Sequence, residues 1–410
     1  MTLGLLRAFK NRGVKVISAK AGPDYIDPGF HAAASGNDCI NLDYWAMGEV
    51  GVRSLAHIHS GNSELLIVEG VMGLFDGPQG SKGSTADLAV ALGLPVILVV
   101  DAAKQGQSVA ALVEGFRNHR LDLNIAGVIL NRVSSDRHQT MLTDALDEVG
   151  IPILGCLRHI DSLTLPSRHL GLIQAQENQQ LEAFIENAAS RVARETNLDK
   201  VLESAAKITN QPTLSLCTEP LGQTISIARD AAFSFIYAHL LTQWQNMGVE
   251  FRFFSPLADE APPQADALFL PGGYPELHAG NLAGNQRFLK GLKTFQGIIY
   301  GECGGYMTLG DAIIDASGKS HAMAGLLPLT SSFAKRKLHL GYRQLQPLAG
   351  PWKQALRGHE YHYSTIESQN GGEALFNALD AAGNAIGPMG QRIGNVMGSY
   401  AHIISVAPRP

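Results

Sequence analysis

The stretch Gly301-Glu302-Cys303-Gly304-Gly305-Tyr306-Met307 constrains this chain more than any other. An apolar run, Ile298-Ile299-Tyr300, precedes it and reads as a buried strand. Met307-Thr308-Leu309 follows and can open a helix. G-x-C-x-G between strand and helix is the pattern of a nucleophile elbow, with sulfur in place of the serine oxygen. The glycines let the chain turn sharply and keep side chains away from the nucleophile. The turn lifts Cys303 above the sheet edge. N–H groups at the helix start favour a thiolate there and can hold a tetrahedral oxyanion. The motif alone also allows a small buried Cys in a glycine-rich turn.

A thiol nucleophile needs a proton carrier, usually His. His402, in Gly398-Ser399-Tyr400-Ala401-His402, is the best candidate, although only a fold can bring it to Cys303. A third motif, Pro271-Gly272-Gly273-Tyr274-Pro275-Glu276-Leu277-His278, follows the apolar strand Ala267-Leu268-Phe269-Leu270. Gly272, Gly273 and Gly304 can turn backbone N–H groups toward the thiol.

Two or three domains fit into 410 residues. Apolar residues make up 45% and charged residues 17%, which suits a globular enzyme with sizeable cores. A net charge of −5 gives no sign of a nucleic-acid-binding surface. Cys39, Cys156, Cys217 and Cys303 are scattered, with no C-x-x-C pair. That pattern argues against a disulfide framework or a zinc site and suits a reducing cytoplasm. No apolar run reaches membrane-spanning length.

Thr2 to Arg12 reads as an amphipathic helix, and Val14 to Ser18 as a short strand. In the loop Lys20-Ala21-Gly22-Pro23-Asp24-Tyr25-Ile26-Asp27, two carboxylates stand three apart. They could hold a divalent cation, meet a polar substrate, or simply cap backbone N–H groups of a turn. Leu65-Leu66-Ile67-Val68 is an apolar strand ending at Glu69, where doubly wound folds place metal and phosphate chemistry. Pro95 to Val100, ending at Asp101, and Ile125 to Leu130, ending at Asn131, are further apolar strands. Ser108 to Phe116 is the helix between them, and Ile151 to Leu154 is another strand. Asp87 reads as a helix cap. The alternation predicts a parallel sheet with helices on both faces.

Glu177 to Val192 reads as a helix, and polar residues follow from Ala193 to Asn210. The boundary is placed there, with one domain over 1–195, a linker over 196–215 and a second domain over 216–410. Ala231 to Met247 reads as the first long helix of the second domain, and Asn285 to Thr294 as the helix leading to the Cys303 strand.

PGGYPELHAG, GECGGYMTLG, RGHEYHYS and SYAHI, in this order, resemble the glutamine amidotransferase domain of cobyrinic or hydrogenobyrinic acid a,c-diamide synthases. GPDYIDPGFH, IVEGVMGLFDG, STADLA, VILVVDAAKQ and VILNRVSSDRH resemble the ATP-binding half of the same enzymes. That half is similar to dethiobiotin synthetase and other P-loop NTPases. The resemblance implies two doubly wound α/β domains, a P-loop NTPase-like one and a class I glutamine amidotransferase-like one. It implies that Cys303 attacks the glutamine side-chain amide, helped by His402. Related enzymes carry a Glu two residues after the His. Ile404 stands there in this chain, so the third member of the site is open.

The resemblance also implies an ATP-dependent ligase of cobalamin biosynthesis, forming amides at the a and c acetates of hydrogenobyrinate or cobyrinate. Asp24, Asp27 and Glu69 then surround Mg-ATP and the corrinoid carboxylate, with Glu69 and Asp24 on Mg²⁺. Asp101 and Asn131 face the phosphates and the base. The basic run Lys335-Arg336-Lys337, with Arg343, either meets the acidic ring or forms a solvated face. Gly358-His359-Glu360-Tyr361-His362-Tyr363 reads as structural or interdomain, and Leu165 to Gly171 matches without a mechanism. A cobyric acid synthase, a remnant with glutaminase activity only, and a P-loop switch are the competing readings. A homodimer is one option for its assembly.

In the resembling family, a first strand and a glycine-rich phosphate loop ending in Gly-Lys-Thr precede the helix that begins here at Thr2. No G-x-x-x-x-G-K-[ST] occurs in the 410 residues. The expectation is a gene product starting about twenty residues upstream, since a strand and a loop must fit. Without that strand, its neighbours would show unpaired edges and apolar surface, and ATP binding would be weak.

Overall fold

The computed structural model describes residues 1–159, 167–168, 171–208 and 218–408. The matching segment 165–171 lies largely outside them. The chain divides into two compact units. One comprises Met1–Tyr44, Glu49–Gly77 and Gly83–Ser215, the other Trp45–Gly48, Pro78–Lys82 and Leu216–Pro410.

In the first unit the described strands form two parallel three-stranded sheets rather than one continuous sheet, together with a short antiparallel pair, Ser167–Arg168 and Gly171–Leu172. The first has the order Cys39–Leu42, Val16–Ala21, Leu65–Glu69, and the second Val96–Asp101, Ile125–Val133, Ile153–Arg158. All six residues of Val16–Ala21 are buried, as expected of a central parallel strand. Among the described residues, Leu65–Glu69 and Val96–Asp101 each pair on one side only. Val99, on the second of these edge strands, is 48% exposed.

The helix Thr2–Asn11 lays Leu5, Leu6, Ala8 and Phe9 into a core shared with Ile185, Ala189 and Val192 of the helix Leu181–Glu195. Arg7 is buried in that contact, where Glu182, Glu186 and two backbone carbonyls accept its donors. The polar run expected to be linker begins instead with a helix, Leu198–Glu203. Asn197 caps it, and its apolar pair Leu198 and Val201 joins the same core. Two apolar residues three apart on one helical face outweigh the polar average of that stretch.

The second unit is built on a six-stranded sheet, Glu250–Phe254, Thr224–Ala228, Ala267–Leu270, Ile298–Glu302, Val396–Ser399, Gln391–Ile393. Its first five strands run parallel and the last antiparallel. A five-stranded antiparallel sheet, with Leu356–His362 between His339–Pro347 and His402–Val406, brings the C-terminal strand into the unit. The long helix expected over 231–247 is confined to Ala238–Asn246. Asp230 explains the delay, because its carboxylate accepts from the N–H groups of Ala232 and Leu257 and holds residues 230–233 in a turn. No helix among the described residues is long and apolar enough to cross a membrane.

Candidate active site

Cys303 stands between the strand Ile298–Glu302 and the helix Gly304–Leu309. Its backbone has φ 47° and ψ −104°, a conformation that costs a non-glycine residue about 1–3 kcal/mol. The surroundings hold it there. The Cys303 N–H donates to the Ser399 carbonyl at 2.8 Å, and the Cys303 carbonyl accepts from Met307 N–H at 3.0 Å.

Gly272 borders both Cys303 and His402. A Cβ at this position would lie 2.3 Å from His402 Cε1, 3.1 Å from His402 Nε2 and 3.3 Å from Cys303 Cβ. The imidazole edge and the cysteine therefore meet across a bare backbone. Gly304 is confined in the same way. A Cβ there would lie 2.7 Å from Pro275 Cδ and 3.2 Å from the Gly273 amide nitrogen. Gly272 thus borders Cys303, Gly304 borders Gly273, and the Gly304 N–H donates to the thiol.

Burial pushes the Cys303 thiol up, and the carboxylates of Glu276, Glu360 and Glu302 push the same way. A hydrogen bond from Gly304 N–H opposes them and does not prevail. This corrects the expectation of a thiolate made by the helix start. A helix of six residues offers a weak dipole, and the site is buried and acidic.

His402 is 1% exposed and begins the strand His402–Val406. Its Nδ1 lies 3.6 Å from Oε2 of Glu302, the residue just before Cys303. Sequence reasoning missed Glu302, because it looked for a carboxylate after the histidine.

The strand Leu356–His362 supplies a second polar group. Arg343 Nε donates to Glu360 Oε2 at 2.7 Å, and Arg343 Nη2 stands at the same distance. His362 Nε2 meets Glu360 Oε1 at 2.8 Å, and its ring stacks on Tyr400 at 4.2 Å. Tyr400 in turn packs edge-on against Tyr306 of the elbow helix. Burial would raise the Glu360 carboxyl, but the His362 and Arg343 contacts hold it down at about 2. Donor atoms of His339, Glu360 and His362 lie within 4.8 Å of one another. Arg343 already neutralises the carboxylate, so the group closes on itself as a buried brace. Arg343 is thereby engaged inside the unit, whereas Lys335, Arg336 and Lys337 are exposed.

In the first unit Asp24, Asp27 and Glu69 converge on an ammonium that sequence reasoning overlooked. Lys20 Nζ lies 2.6 Å from Asp27 Oδ2, 2.9 Å from Glu69 Oε2 and 3.8 Å from Asp24 Oδ2. Glu69 also meets His31 Nε2 at 2.8 Å and the Thr2 hydroxyl. Burial would lower the Lys20 ammonium, but the three carboxylates raise it. Burial would raise Glu69, which His31 and Lys20 instead hold far below the carboxylate range. Asp24 moves upward, through burial and the charge of Asp27. Asp24 also caps its own turn, accepting from the N–H groups of Ile26 and Asp27 at 2.8 and 3.0 Å. The capping alternative for that loop therefore holds at Asp24. Three carboxylates at a strand edge are the hard oxygen donors that Mg²⁺ takes.

Asp101 and Asn131 are register partners at the carboxyl ends of their strands, in the other sheet of this unit. Asp101 is exposed and pairs with Arg132 at 2.8 Å. Asp87 completes a capping box with Ser84 at the start of the helix Thr85–Leu92.

A thiol elbow near a histidine on a mixed sheet, in a chain that also carries a parallel α/β unit, defines a glutamine amidotransferase domain in one chain with a nucleotide-binding domain. Residues 224–410 match the CobB/CobQ-like glutamine amidotransferase domain, and residues 1–173 the CobQ/CobB/MinD/ParA nucleotide binding domain. The chain belongs to the hydrogenobyrinate a,c-diamide synthase family. A protein of that name from Brucella anthropi is 52% identical over 98% of this chain and 94% of its own length. That from Brucella suis is 51% identical over 98% and 94%, and that from Rhizobium meliloti 51% over 98% and 95%.

Proposed function

We propose that the second unit releases ammonia from glutamine and that the first unit uses it to amidate the a and c acetates of hydrogenobyrinate, with ATP. The observation that carries the glutamine half is the meeting of His402 and Cys303 across Gly272. Family membership carries the corrinoid half.

The Cys303 sulfur attacks the side-chain amide carbon of glutamine as its proton passes to His402. The oxyanion falls among the amides around Gly273 and Gly304. The tetrahedral centre collapses, the C–N bond breaks, and His402 returns the proton to the departing nitrogen, which leaves as ammonia. Water, deprotonated by His402, then attacks the thioester; glutamate leaves and the thiol is restored. In sum, glutamine and water give glutamate and ammonia.

In the first unit Glu69 and Asp24 would hold Mg²⁺, which supplies neutralisation of the phosphate charge. Asp27 and Lys20 complete the cluster, and Lys20 would supply a fixed positive charge toward the phosphates. Asp101 and Asn131 are proposed as nucleotide contacts. Exposed Lys335, Arg336 and Lys337 are proposed to pair with carboxylates of the ring. A reducing cytoplasm suits the free thiols of Cys39, Cys156 and Cys303.

The test is to incubate the chain with glutamine, Mg-ATP and either hydrogenobyrinate or cobyrinate, and to weigh the products. Two carboxyl-to-amide conversions of the metal-free ring are expected. Glutamine consumption without any amidated ring would leave only the glutaminase half standing.

A further inference from the structure

Glu302 is nearly fully buried, and its two oxygens serve two purposes. Oε1 accepts from the Ile403 N–H at 3.0 Å and from the Tyr300 hydroxyl at 3.1 Å. Oε2 faces His402 Nδ1 at 3.6 Å. One side chain thus holds the backbone next to His402 and the far edge of its ring. The Cε1 and Nε2 side of the ring is the one that faces Gly272, where a Cβ would also lie 3.3 Å from Cys303 Cβ. The order carboxylate, imidazole, thiol is therefore present, although Ile404 occupies the position two residues after the histidine.

The separation of 3.6 Å exceeds a hydrogen bond and lies within ion-pair range. Contacts of catalytic groups often tighten only when substrate is bound. Both side chains are buried, so solvent screens their interaction little. The strand places Glu302 reliably, because Tyr300 and Glu302 point to the same face and Glu302 pairs in register with Ser399.

We propose that Glu302 is the third member of the site, a positioning residue that orients the His402 ring and stabilises its charged form. It takes no proton. As Cys303 passes its proton to His402 Nε2, the imidazolium forms between a thiolate and the Glu302 carboxylate. The proposal rests on the reading of Cys303 and His402 as the reacting pair.

The test is the pH profile of Cys303 alkylation by iodoacetamide, followed by the mass of the Cys303 peptide, in the full chain. It needs neither glutamine nor ATP. Thermal unfolding of each variant is recorded alongside. Glu302→Gln keeps an acceptor for Ile403 and Tyr300 but removes the charge. Its alkylation at pH 7 is expected to fall at least about tenfold, and its profile to move to higher pH, toward that of His402→Ala. In the His402→Ala background Glu302→Gln should slow alkylation no further, since without the imidazole the Glu302 charge only opposes the thiolate. A Glu302→Gln profile that superimposes on that of the unchanged chain would overturn the proposal, and so would an equal slowing in the His402→Ala background. Should Glu302→Gln fail to fold, Glu302→Asp decides. Its withdrawn carboxylate should shift the profile the same way by less, and an unshifted profile overturns the idea. His402→Ala alone tests the underlying pair. If it alkylates like the unchanged chain, the pair falls and Glu302 with it. If it slows while Glu302→Gln does not, only Glu302 falls.

Discussion

Lys20 and Glu69 are register partners on adjacent parallel strands, and the Lys20 ammonium donates to the Glu69 carboxylate at 2.9 Å. Lys20 is buried, and three carboxylates depend on it. Lys20→Met would leave them facing one another. Breaking a buried pair costs about 3–5 kcal/mol, and the partial exposure of Asp27 and Glu69 points to the lower end. Urea unfolding of the first unit should show that loss. An unchanged midpoint would mean that solvent already screens the cluster.

Cys303→Ala should end glutamine consumption while leaving any amidation supported by free ammonia at high pH. His402→Ala should slow thioester formation by about 10²–10⁴-fold. Glutamate release is the readout. Turnover of glutamine persisting in Cys303→Ala would remove the cysteine from the chemistry.

The second unit should weaken in mild acid. Burial pushes His239 down to about 4. Burial, with the nearby His402 and Arg343 charges, pushes His359 down to about 3. Both are neutral when folded, whereas the unfolded chain protonates them below its ordinary value of about 6.5. Their contribution is present above that value and is lost as pH falls toward the folded values. The urea midpoint should therefore drop between pH 7 and pH 5, and less steeply in His239→Gln. A flat midpoint would contradict this assignment.

Neutralising Lys335, Arg336 and Lys337 together should raise the KM for the corrinoid and reduce its dependence on salt, with glutamine hydrolysis unaltered. If corrinoid KM does not move, the run is a solvated face. Arg343 is left out of the set because Glu360 holds it.

The elbow was legible from sequence because strand, glycines and helix adjoin one another, and a local motif needs no knowledge of distant contacts. The apolar strands of the first unit were legible for the same reason. Glu302 was in plain view beside Cys303, but its use depends on a strand that returns a hundred residues later. Lys20 was hidden by the ordinary assumption that lysines are solvated. The helix Leu198–Glu203 was masked by its polar neighbours. The antiparallel sheet of 339–406 was not foreseen, since its strands mix polar and apolar residues and pair across long separations.

The bare backbone at Gly272 makes that position a built-in divider between the two halves of the reaction. Any side chain there must displace the imidazole of His402, whereas the cluster around Lys20 belongs to the other unit. One methyl group at residue 272 would therefore turn an enzyme that makes its own ammonia into one that must be fed with it. An organism carrying that change would tie its corrinoid synthesis to the ammonium in its surroundings.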